Sequence, residues 1–337
     1  MKQRAESAAS EDFIVAKVRG MRSKLFEGNR LVALADSKSL PELFRRVRSG
    51  DTFEGHLAFE RDLLADQVRD LDKISRHLSG RVFQLVQWLL VHFELENLKV
   101  VLRAYVSKKT VAETEPVMAP VPAWLALPIS RLFDAPDLRR FAAQVPVEEF
   151  REALLQTIKA DKTPDSAAIE TALDAAYCRK LLQLADGTDE WIRKLVAFDV
   201  DFRSLSFILR SKFNYDRPLS DIRPFIVTSG LFLTPALVER LYAAHDLGQV
   251  INALPRDFLS QEKRRGILSL QQLDKALLVQ QYRLAARCFL ESIVAIPAVV
   301  AYCYIRRIEF ANLVRVTESV RHSLPRADIE SRLLLVR

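Results

Sequence analysis

The sequence predicts an all-α protein of three similar helical domains in a pseudo-threefold, funnel-like arrangement, and three observations carry that prediction. The first is a shortage of glycine, nine in 337 residues, against a usual share of about 7%. Hairpins use glycine for positive φ angles, whereas helix interiors avoid it. The second is the prominence of Leu, Ala, Arg and Glu, all strong helix formers. The third is a motif met three times: apolar, acid, apolar, any residue, Asn or Ser, Leu, then a β-branched residue three positions on. It runs through Glu94, Asn97, Leu98 and Val101, through Asp201, Ser204, Leu205 and Ile208, and through Glu309, Asn312, Leu313 and Val316. The intervals are 204 − 97 = 107 and 312 − 204 = 108 residues. A near-constant, domain-sized interval marks a unit copied twice, and three such units predict a body with a central axis.

Proline-bearing breaks set the boundaries. Residues 1–12 are polar and predict a flexible amino terminus; the copies span 13–108, 123–216 and 224–337, with linkers at 109–122 and 217–223. Each copy opens with a capped helix: Ser39 with Glu42, Asp134 with Asp137, and Thr234 before Pro235. In the second copy Leu138 leads to Val145-Pro146 and Phe150; in the third Leu247 leads to Leu254-Pro255 and Phe258. A second helix follows, carrying Leu63, Leu173-Asp174 or Leu273-Asp274. The motif helix closes each copy. Leu98, Val101, Leu102 and Tyr105 fall at i, i+3, i+4 and i+7, one helical face. Leu205, Ile208 and Leu209 repeat that stripe, and Leu313 and Val316 keep part of it.

The polar pair of the motif (Glu94 with Asn97, Asp201 with Ser204, Glu309 with Asn312) lies on one face of its helix, three residues apart. Two readings follow. One ties the start of the helix to neighbouring backbone, the acid complementing the dipole of a first turn. The other places the pair on an inter-domain or partner surface. The first is favoured.

Residues 292–305 form an apolar run of fourteen, bounded by charge. A membrane span needs about twenty, so the run predicts a buried core helix kinked near Pro297. Residues 82–91 are shorter and carry Gln84 and Gln87. With no signal peptide, the chain reads as soluble and not itself membrane-spanning. Cys178, Cys288 and Cys303 form no metal-spaced pair and read as reduced core thiols.

Several chemistries are excluded. Gly50 and Gly55 have phosphate-loop spacing, but His56-Leu57 stands where Lys and Ser or Thr are required. No two glycines are two residues apart, which rules out a dinucleotide fingerprint. The histidines (His56, His77, His92, His245 and His322) are scattered, without metal spacing. No cofactor and no small-molecule substrate are expected. The net charge of +7 fits an acidic protein partner or an anionic membrane surface. The late basic positions Arg306, Arg307, Arg315, Arg321, Arg326, Arg332 and Arg337 lack interleaved aromatics and read first as a solvated face and second as a contact for an anionic partner, with no nucleic-acid partner expected.

The stretch from Glu94 to Arg103, with Glu-x-x-Asn-Leu and a closing Leu-Arg, resembles the C subunit of V/A-type rotary ATPases, whose eukaryotic counterpart is the vacuolar ATPase d subunit. Residues 13–25 resemble that family's opening helix, and 308–325 with Asp328-Ile329-Glu330 its closing one. The resemblance implies a non-catalytic part of the central-stalk rotor, one that couples a rotating shaft to the membrane proteolipid ring for ion transport. It implies D/F-type shaft subunits and that ring as partners, and a peripheral position on the cytoplasmic face of the membrane. The competing readings are a helical-repeat scaffold or adaptor for another complex, and a helical enzyme.

Overall fold

The computed structural model describes residues 13–48, 52–160, 166–256, 259, 266–292 and 295–335. The expected flexible segment 1–12, and with it Gly50, Phe258 and Arg337, lies outside the described residues. All regular structure among the described residues is helical. In chain order the helices are α1 (13–22), α2 (Gly28–Val32), α3 (Leu40–Val47), α4 (His56–Ser75), α5 (Gly80–Val106) and α6 (Val111–Thr114). There follow α7 (Ile129–Phe133), α8 (Leu138–Ala143), α9 (Glu148–Ala160), α10 (Ser166–Ala185), α11 (Glu190–Phe213) and α12 (Leu219–Ile222). The last are α13 (Pro235–Ala243), α14 (Leu247–Ala253), α15 (Leu270–Glu291), α16 (Ala295–Arg321) and α17 (Arg326–Arg332). The motif occupies α5, α11 and α16, among the longest of them.

Local chemistry sets the helix starts. Ser39, Asp137 and Asp246 cap the short helices α3, α8 and α14, each accepting from the backbone N–H three residues on. Thr234 caps α13 in the same way, with Pro235 in the first helical position. In the second copy the cap is Asp137; Asp134, expected to play that part, instead closes α7. The proline-bearing stretch 109–122 holds a complete capping box between Thr110 and Glu113 and a 3₁₀ turn at Glu115–Val117. Of the apolar run 292–305, residues 295–305 lie in α16, which begins at Ala295. Pro297 therefore sits not in the interior of α16 but in its first turn, where its missing N–H costs no helical bond.

The chain divides into two compact units, residues 79–270 and the flanking segments up to Leu78 and from Gln271. In the central unit α10 packs on α5, α9 and α11. Trp88 of α5 stacks on Tyr177 of α10 at 5.8 Å and donates its ring N–H to the Tyr177 carbonyl at 3.0 Å. Tyr105 closes the other end of α5, packing on Phe141 and donating to the Ala135 carbonyl at 2.9 Å. In the flanking unit α16 packs on α4 and α3. Leu313, Val316 and Val320 of α16 share one core with Leu31, Leu34, Leu43 and Phe44 from the amino-terminal segment, Phe59 and Leu63 of α4, and Ile329 and Leu333 beyond α16. The repeated stripe leucines Leu98, Leu205 and Leu313 are all buried.

Candidate functional site

The motif side chains lie in the middle of their helices and not in a first turn, so the terminal dipole has no part in their role. All six are buried: Glu94, Asn97, Asp201, Ser204, Glu309 and Asn312. Asn97 accepts from the Ala119 N–H at 2.7 Å and donates to the Ala119 carbonyl at 3.0 Å. Asn312 accepts from the Leu334 N–H at 2.7 Å and donates to the Leu334 carbonyl at 3.4 Å. Ser204 donates to the Val227 carbonyl at 2.6 Å and accepts from the Val227 N–H at 3.3 Å. The clamped residue stands 22, 23 and 22 positions downstream in the three copies. Each clamp satisfies both polar groups of one residue's backbone inside the protein, where an orphaned group costs about 1–3 kcal/mol.

The acids of the second and third pairs each hold a further stretch of backbone. Asp201 accepts from the N–H groups of Ser229, Phe232 and Leu233 at 2.6, 2.9 and 2.9 Å. Glu309 accepts from the Phe26 N–H at 2.7 Å, so in the third copy the amino-terminal segment supplies the donor. Glu94 accepts from the Asn97 amide at 2.8 Å, and the same amide donates to the Ala119 carbonyl, so this acid reaches the following segment through Asn97. Burial pushes all three carboxyls up. For Glu94 it outweighs Asn97 and Leu127, and the carboxyl reaches about 7. For Asp201 it works against the Leu233, Phe232 and Ser229 donors. For Glu309 it works against the Arg306 charge and the Phe26 donor.

Arg306, expected on a solvated face, is buried. It donates to Glu309 Oε2 and to Asp70 Oδ2, the latter also within 3.4 Å of the Tyr302 hydroxyl. A buried cation needs such partners, because its desolvation is otherwise uncompensated. Arg307 beside it donates to Gln281 and lies over the Tyr304 ring at 4.9 Å.

A cleft of about 570 Å³ in the central unit borders the second motif. Lys99 is buried there between Asp174 (2.6 Å) and Glu96 (2.9 Å). Arg203 pairs with Asp199 at 3.3 Å and lies over Tyr177 at 5.3 Å. His92 packs against Tyr177 at 5.3 Å and reaches within 3.5 Å of Arg203. The Cys178 thiol on the cleft wall is pushed up to about 12 by burial, which makes it unreactive. Among the described residues no three His, Cys, Asp or Glu side chains converge to hold a metal ion. No helix among them is long and apolar enough to cross a membrane.

A family model described as ATP synthase (C/AC39) subunit matches residues 14–332. The chain belongs to the ATP synthase (C/AC39) subunit family. It is 22% identical to the C subunit of the A-type ATP synthase of Methanosphaera stadtmanae, a match covering 95% of this chain and 86% of that one. The proteins of the same name from Pyrococcus horikoshii and Methanocaldococcus jannaschii are 23% and 22% identical. Those matches cover 71% and 96% of this chain, and 66% and 86% of theirs. As a member of the C/AC39 family the chain is a non-catalytic subunit of a rotary ATPase, with other subunits of that complex as partners. Pre-paired charges and buried, backbone-clamping motif residues suit such a part.

Sequence reasoning missed Lys99, Arg203 and the role of Asp174, and placed the buried Arg306 on the surface. The acid of Leu173-Asp174 is visible as a recurring mark, but its partner Lys99 stands 75 residues away. Nothing local joins the two.

Proposed function

We propose that the chain is the central-stalk rotor subunit that couples the rotating shaft of its ATPase to the membrane proteolipid ring, working as a peripheral protein on the cytoplasmic face. Its partners on this reading are the D/F-type shaft subunits and the ring. The single observation that carries the proposal is the clamp met three times, each tying a long helix to the segment that follows it. A part that passes torque between two others has to be stiff, and buried hydrogen bonds of fixed geometry between helix and loop supply stiffness. The six motif residues act from the interior; the partner-facing surface lies over them and spans roughly 1,600 Å² or more, as a stable interface requires. The three copies 13–108, 123–216 and 224–337 are the domains of this socket, arranged about a pseudo-threefold axis.

Reconstitution with shaft and ring subunits tests the reading. Variants at Glu94, Asp201 or Glu309 should lower complex yield and ion-coupled ATPase activity by degrees, while hydrolysis by the detached catalytic head stays unchanged. Failure of the unaltered chain to join shaft and ring, or loss of hydrolysis in the isolated head, overturns it.

A further inference from the structure

The three motif acids are buried with unequal compensation. Asp201 receives three backbone N–H donors. Glu309 receives the Phe26 N–H and the Arg306 guanidinium. Glu94, 1% exposed, receives the Asn97 amide on Oε2, and its Oε1 is buried with no hydrogen-bond partner among the described residues. An ionised carboxylate has about four lone-pair sites to satisfy, and an unpaired buried one is disfavoured far more than a neutral carboxyl.

Among the described residues no charge near Glu94 changes that balance. The segment it helps to hold, 119–127, carries no titratable side chain. On its own helix His92 faces Glu96, and Glu96 faces Lys99. From α10, which packs on α5, Asp174 is paired with Lys99 and Glu170 with Arg103. From α6, Glu113 is used by the Thr110 cap. The groups that act on Glu94 are burial, the Asn97 amide and the Leu127 backbone.

We infer that Glu94 is a proton-operated latch: protonated, it stays buried beneath the Asn97 clamp with segment 119–127 seated on α5; ionised, its uncompensated burial drives that joint towards an open state in which water reaches the carboxylate. The segment presents the exposed Trp124, and the exposed Val117 lies just before it. The latch stands or falls independently of the rotor reading.

The sign follows from linkage. Glu94 sits at about 7 in the closed state against an ordinary 4.5. An acid raised by burial binds more protons closed than open, so the closed state is favoured below the lower value. It loses ground as pH rises through that window and is level above it. The opening equilibrium of the joint should therefore rise roughly 10²-fold between pH 5 and 8.

Hydrogen exchange of the full chain, followed by mass spectrometry and corrected for intrinsic exchange at each pH, reads this directly. Peptides covering 119–127 should show that rise, clearly larger than peptides covering 227–233, and Glu94→Gln should flatten it. The wild-type profile alone is decisive if Glu94→Gln does not fold. A flat wild-type profile, a rise no larger than at 227–233, or an unchanged rise in Glu94→Gln overturns the inference.

Discussion

The second and third clamps solve one problem with opposite chemistry. At Asp201 a buried carboxylate is satisfied by backbone alone, three N–H groups drawn from Ser229, Phe232 and Leu233. At Glu309 the work is shared between one backbone N–H and Arg306, which itself leans on Asp70 and lies near Tyr302. A backbone nest makes the loop the ligand of the acid, so any shift of the loop is resisted by three bonds at once. A side-chain pair frees the loop from that duty but places a second buried charge in the core, held against its desolvation by Glu309 and Asp70. The two copies keep the geometry of the clamp and exchange its electrostatics.

Breaking the charged version should have the largest effect. Arg306→Ala leaves Glu309 buried and unpaired and should destabilise the protein by about 3–5 kcal/mol in denaturant unfolding. Adding Glu309→Gln should recover much of that loss; a double variant as unstable as the sum of the singles would show that the pair is not the source. Next come the stripe leucines beneath each clamp. Leu205→Ala and Leu313→Ala should each cost about 2–5 kcal/mol, since both are buried. Losses well below about 1 kcal/mol would mean that the clamps and not the core hold these helices. The smallest effect sharpens the comparison at the amide position. Ser204→Ala should cost about 1–3 kcal/mol by orphaning the Val227 backbone groups, whereas Ser204→Asn tests whether the second copy has room for the side chain used at 97 and 312. A more stable Ser204→Asn protein, read from thermal unfolding, would show that it has.

The sequence carried the fold class through its scarce glycine and its 3.6-residue stripes, because helices are local structures read from local spacing. The motif residues were legible for the same reason that they recur. Their partners were not. Ala119, Val227 and Leu334 share no residue type, since what is clamped is backbone, and any residue with an N–H and a carbonyl offers that. Phe26 stands 283 positions from Glu309, and its side chain has no bearing on the bond its N–H makes. Arg306 misled in the other direction: a lone Arg among many exposed ones reads as solvated until Asp70, 236 residues away, is seen beside it.

The core that joins α16 to the amino-terminal segment also fixes an order of events at the ribosome. Leu31, Leu34, Leu43 and Phe44 emerge first, yet the leucine and valine side chains they pack against stand at 313, 316 and 320. Residues 79–270 form a unit of their own in between. At about 5–20 residues per second the early segment waits roughly 15–55 s for its partner, most of it while the central unit is made. The middle of the protein therefore folds before its beginning, and the nascent amino-terminal helices spend that interval as apolar surface for a chaperone to shield.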